Sequence, residues 1–241
     1  MIDGITIEVC IENGTRIDEL IARKNPDGSL MVDRVELNDN LAAGGITASY
    51  GVAKKVIGRC HDAGIKVMSM VRPRGGGFVY SDDEFSAMTR DLRMMRELES
   101  DGVVFGCLSA AGLVDREKTA RLIAAADGMA TVFHMAFDSI GITADLPAAG
   151  GAAEEARLAA LRLESIGWLA GAGITRVLTG GALCYGPVPP DALANSKRIK
   201  AYAEAAGGRI GILAGGGITA DNFRALCALA GLKEVHGSRL P

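Results

Sequence analysis

Eight short apolar runs recur along this chain at intervals of about one strand plus one return helix, and that recurrence limits the fold more than any other feature. The runs lie at 5–10, 32–37, 66–71, 102–108, 130–134, 175–179, 209–214 and 233–236, with starts 27, 34, 36, 28, 45, 34 and 24 residues apart. A strand with its crossover takes about 30 residues, so each interval holds one βα unit. Runs this apolar suit parallel strands covered on both faces. The segments between them carry helical signals. Ile17, Leu20 and Ile21 share one face after Thr15, and Val52, Val56 and Cys60 share another before Gly64. Ser81 and Glu84 are spaced as a capping box, which opens a helix turning Phe85, Met88, Leu92, Met95 and Leu98 inward. Thr219 is expected to open the last helix, with Phe223, Leu226 and Cys227 on its buried face. The expected fold is α/β, a single (β/α)8 TIM-like barrel over 1–241. A doubly wound open sheet is the alternative, but the first βα loop lacks GxGxxG. Five residues follow His236, so the last barrel helix is expected to be missing or replaced, and 139–151 reads as a surplus Ala/Gly loop.

Composition narrows the function classes. Of 241 residues, 49% are hydrophobic, which is globular, and the formal net charge is −3, which gives no nucleic-acid footprint. No apolar run approaches the length of a membrane helix, and the first ten residues lack the basic and apolar regions of a signal peptide. Five cysteines without a CxxC suggest a reducing, cytoplasmic setting rather than a disulfide framework or zinc knuckle.

The polar residues inside these apolar runs carry the chemistry. Period-two alternation puts Glu8 with Cys10 on one face, Arg34 with Glu36 and Asn38, Met68 with Met70 and Arg72, and Glu234 with His236. A charge inside an apolar strand is costly unless paired, so Glu8, Arg34, Glu36 and Arg72 are expected to meet across the barrel mouth. One reading is an ion-pair network that only closes the barrel. The other is a pocket for a small anionic or phosphorylated molecule, sugar-like or carbonyl-bearing. In that pocket Glu8 or Glu36 is the base, His134 the partner acid oriented by Asp138, and Arg34 part of the charged set. Arg72 and Arg74, around a proline and ahead of three glycines, would clamp the anion. Thr179 and Gly180 end the sixth run and Gly215, Gly216 and Gly217 follow the seventh. The loops after strands seven and eight commonly hold phosphate, with His236 alongside. Cys60 and Cys227 read as core, and Cys184 lies in a loop. The one sulfur grouping near the mouth is Cys10 with Met68 and Met70, the only basis in these residues for Cu(I).

Together these stretches resemble the CutC family of copper homeostasis proteins: IEVC at 7–10, DRVEL at 33–37, VRPRGGGFVYSDDEF at 71–85, FHMAFD at 133–138, RVLTGG at 176–181, AGGGIT at 214–219 and EVH at 234–236. They run in the family's order over nearly the whole chain. The resemblance implies a (β/α)8 barrel, a cytoplasmic location, homo-oligomers and a link to copper handling. It also exposes departures. Asn38 and Gly237 stand where the family often has cysteines, and Met135 stands where it has arginine. Of the thiols the family offers to copper only Cys10 is present, so no metal-ligand set is assigned from sequence.

Overall fold

The computed structural model describes residues 1–143, 151–182 and 190–240. Among them, eight strands close into one parallel barrel in chain order: β1 (Thr6–Glu12), β2 (Arg34–Asn38), β3 (Lys66–Met70), β4 (Gly102–Phe105), β5 (Ala130–Phe133), β6 (Arg176–Thr179), β7 (Gly211–Gly215) and β8 (Glu234–Gly237). Seven helices return the chain: α1 (Ile17–Ala22), α2 (Tyr50–Asp62), α3 (Asp82–Glu97), α4 (Arg116–Ala126), α5 (Ala152–Ala172), α6 (Ser196–Ala206) and α7 (Phe223–Ala230). The open-sheet alternative is excluded, because β8 pairs with β1, Glu8 lying opposite His236.

Alternation builds two cores. Outward residues such as Ile7, Val9, Val35, Val67 and Val235 are buried under the helices. Inward residues fill the barrel itself, and there the two halves differ. Met68, Met70, Val104, Val132, Leu178 and Leu213, from β3 to β7, form a small apolar cluster. The inward residues of β8, β1 and β2 are polar or charged: His236, Glu8, Cys10, Arg34, Glu36 and Asn38 are all buried.

The helices follow from their signals. Ser81 Oγ accepts the Glu84 N–H at 3.2 Å while Glu84 Oε2 accepts the Ser81 N–H at 2.8 Å. Below this cap Phe85, Met88, Leu92 and Met95 are buried, each contributing about 1.5–3 kcal/mol by leaving water. Helix α7 starts later than expected. Thr219 is not its cap; its N–H donates to Asn222 Oδ1 at 2.9 Å, and Asn222 is the N-cap residue. In place of an eighth helix, the C-terminal segment lies back along α1. Arg16 Nη1 donates to the Ser238 carbonyl and Arg23 Nη1 to the Leu240 carbonyl at 3.3 Å, and Leu240 is buried. Of the expected 139–151 loop, 144–150 lie outside the described residues, as do Cys184 and its surroundings. No described helix is long and apolar enough to cross a membrane.

Candidate functional site

Pairing register brings the charged residues of three adjacent strands together. Glu8 is aligned with Arg34 and Cys10 with Glu36 across β1 and β2, while His236 flanks Glu8 from β8. Glu8 is ion-paired with Arg34 through Oε2 and accepts from His236 Nδ1 through Oε1 at 2.8 Å. His236 Nε2 lies 3.8 Å from Glu36 Oε2. That same oxygen accepts from Asn38 Nδ2 at 2.8 Å and from Cys10 Sγ at 3.5 Å. The second Glu36 oxygen, Oε1, is buried without a hydrogen-bond partner among the described residues.

This geometry sets the protonation. Burial would raise Glu8, but Arg34 and His236 outweigh it and hold the carboxyl down at about 2. Burial dominates at Glu36 and lifts it above the ordinary carboxylate range. His236 goes the other way from what burial alone dictates: Glu36 and Glu8 hold its imidazole protonated, well above the ordinary histidine value. Burial, then the Glu36 carboxylate, pushes the Cys10 thiol up to about 11. The floor is therefore an ionised Glu8, a cationic His236, and a Glu36 carboxyl that burial makes harder to ionise than an exposed one.

Two cavities open on this floor. The larger, about 930 Å³, has Arg72, Phe78, Met135, Leu178, Gly215 and His236 in its wall. The smaller, about 720 Å³, is lined by Cys10, Gly216, Gly217, Asn222, Ser238 and His236 among others. His236 faces both.

Several expected site residues sit elsewhere or do other work. Arg34 begins β2, so it lies toward the N-terminal end of the barrel rather than at the mouth. There Glu234 joins it to Arg176: Arg34 Nη2 and Arg176 Nε both donate to Glu234 Oε2 at 2.9 Å. Arg72 does not pair with the carboxylates. Its Nη1 donates to the Gly44 and Gly45 carbonyls at 2.9 and 3.0 Å and its Nη2 to the Gly76 carbonyl at 2.6 Å. It staples two loops together, leaving its buried Nε unpartnered among the described residues. Arg74 is absent from both cavity walls. It grips Glu84 and the Gly77 and Val79 carbonyls, at 2.8 and 2.9 Å, and lies 5.1 Å over the Tyr80 ring.

The His134–Asp138 dyad does not form. Asp138 accepts from Thr179 Oγ1 and, at 2.8 Å, from the Gly180 N–H, so both donors are engaged by Asp138. Burial, only partly offset by Thr179 and Gly180, raises Asp138 to about 6. His134 Nδ1 accepts the Ala136 N–H at 3.2 Å. Burial and the nearby Arg72 charge lower it to about 3, so the ring is neutral at neutral pH and cannot be the acid. Its Nε2 is buried and unpartnered among the described residues. Gly106 makes this placement feasible, since a Cβ there would lie 2.6 Å from the imidazole. Sequence reasoning missed Arg176 and did not assign Glu234 a partner. The available signal was a charged residue opening each of two short strands, Arg176 on β6 and Glu234 on β8.

A parallel eight-stranded barrel with a charged floor beneath its C-terminal loops defines a TIM-barrel protein with a buried polar site. The family model for the CutC family matches residues 5–146 and 158–240, and the chain belongs to that family. A family protein CutC from Enterococcus faecalis is 36% identical over 97% of this chain and 98% of its own length. The human copper homeostasis protein cutC homolog is 34% identical over 98% of this chain and 74% of its own. The crystal structure of the CutC protein from Streptococcus agalactiae matches at TM-score 0.83 and 39% identity, covering 98% and 99% of the two chains. An aldolase, QR15, shares the fold at TM-score 0.63 with 14% identity, covering 99% of this chain and 92% of that one.

Copper can be tested against the residues present. Cu(I) selects thiolate and thioether ligands. Met68 and Met70 are spent in the apolar cluster, and Asn38 Nδ2, an amide donor, lies 3.4 Å from Cys10 Sγ. Among the described residues one thiol is left beside a carboxylate and an imidazole, a set that does not fit Cu(I).

Proposed function

We propose that this CutC-family barrel binds a small organic anion, sugar-like or carbonyl-bearing, and carries out acid–base chemistry on it at Glu36 and His236. The observation that carries this reading is His236: a buried imidazole held cationic by two carboxylates and facing both cavities. A negatively charged oxygen placed there meets a positive charge on a buried side chain, where such interactions are stronger than in bulk water. Glu36, lifted by burial above the ordinary carboxylate range and with Oε2 3.8 Å from His236 Nε2, is the base of the pair. Glu8, held at about 2, is too weak a base and serves to orient His236. The unpartnered N–H of Arg72, which lies in the wall of the larger cavity, supplies a further donor for substrate oxygens. Gly216 and Gly217 in the smaller cavity offer backbone to a phosphate or carboxylate end. The buried, free thiols of Cys10, Cys60, Cys107 and Cys227 agree with a cytoplasmic setting.

The test is thermal unfolding against inorganic phosphate, sulfate, hydroxy acids and sugar phosphates. A ligand at about a hundred times its Kd adds roughly 2.7 kcal/mol to the native state and raises Tm by roughly 5–10 °C. His236→Gln should abolish that shift. No shift with any compound, or an undiminished one in His236→Gln, sinks the reading.

A further inference from the structure

The atoms around His236 are arranged for more than a proton. One donor atom each from Cys10, Glu36 and His236 lies within 4.8 Å of the others, and all three residues are buried. What surrounds them follows a pattern found around metal ligands. His236 Nδ1 bonds to Glu8 Oε1 at 2.8 Å, which turns Nε2 toward Glu36, and Arg34 fixes Glu8 from behind. A carboxylate behind an imidazole is the usual device for orienting a ligating histidine. Asn38 Nδ2 does the same for the other two groups, donating to Glu36 Oε2 at 2.8 Å and approaching Cys10 Sγ at 3.4 Å. This leaves Glu36 Oε1, a buried carboxylate oxygen with no partner among the described residues. A buried charged acceptor left unsatisfied is costly, and a cation beside it removes the cost.

We propose that Cys10, Glu36 and His236 bind a borderline divalent cation of the Zn2+ type. Mixed sulfur, nitrogen and oxygen donors are the chemistry such an ion accepts, in contrast to the soft set Cu(I) selects. Three protein ligands leave a fourth coordination position, and the cavities sharing His236 give it access to small molecules. On binding, the Cys10 thiol and the cationic His236 each release a proton to solvent, which frees the thiolate and Nε2 to ligate. The proposal deepens the anion reading, since the cation would take over the positive charge that His236 presents to the anion. Adding metal alone tests it separately.

The experiment is an anaerobic titration of the chelator-treated full chain with Co2+, followed by Zn2+ competition. The expected result is a thiolate-to-cobalt charge-transfer band that saturates near one equivalent and is bleached by Zn2+. Cys10→Ser should lose the band, Cys107→Ser should keep it, and Asn38→Ala should weaken binding roughly tenfold. Absence of a saturable band in the unmutated chain overturns the proposal, whatever the variants do. So does a band that survives in Cys10→Ser, because the ion is then held elsewhere.

Discussion

Asp138 and His134 stand four residues apart and were expected to act as one pair, yet the fold treats them as opposites. Asp138 titrates near 6 instead of 3.8. Its ionised form is the one the fold resists, so its contribution to stability is lost as pH rises between those values. His134 titrates near 3 instead of 6.5. Its neutral form is the one the fold accepts, so its contribution is lost as pH falls from about 6.5. Between pH 4 and 7 the two oppose each other. Denaturant unfolding should therefore show that Asp138→Asn gains about 2 kcal/mol relative to the unmutated chain on going from pH 4 to pH 7. His134→Gln should lose stability over the same interval. Slopes of the same sign in both variants would contradict the assignment. At this scale the sequence identified which residues are buried and polar, but not their partners. Period two says that Arg72 faces inward. It cannot say that the Gly44, Gly45 and Gly76 carbonyls take its donors, because they belong to loops whose path depends on the closed barrel.

Elements were the most legible scale. Every strand lies within two or three residues of an apolar run, because the face of each strand that packs under the helices must be apolar even where the inward face is charged. The capping box at Ser81 formed as spaced, since both its hydrogen bonds are local. Thr219 misled because a hydroxyl before apolar periodicity is a necessary sign of a helix start and not a sufficient one. Arg74 misled for a similar reason: an arginine beside glycines reads as an anion clamp, but the nearer acceptor is Glu84, already placed by the cap. That pairing makes Arg74 part of the α3 entry. Arg74→Ala should lower stability by up to about 1 kcal/mol, because the pair is partly exposed. It should leave unchanged any Tm shift produced by small anions, whereas Ser81→Ala should cost about 1 kcal/mol through the lost cap. A variant of Arg74 that folds normally and no longer responds to anions would return the residue to the binding site.

Across the whole molecule, the barrel interior is divided into an apolar half on β3 to β7 and a charged half on β8, β1 and β2. The charged half lies along the seam where the last strand meets the first, and its lower layer is the chain Glu8–Arg34–Glu234, which Arg176 extends from the first residue of β6. Closure and site are thus built from the same residues, so asking whether this network is structural or functional poses a false choice. The two layers differ in what they touch. Arg34 meets neither cavity wall, while His236 meets both. Arg34→Met should remove the cation that bridges Glu8 and Glu234, leaving Glu8 only His236 and Glu234 only Arg176, at a cost of up to about 3–5 kcal/mol. Substituting Glu234 and Arg176 as well, as Arg34→Met with Glu234→Leu and Arg176→Met, should recover part of that loss by removing the carboxylate together with its remaining cation. If Arg34→Met unfolds in denaturant at the same midpoint as the unmutated chain, the lower layer contributes nothing to closure, and its four charges need a different explanation from pairing.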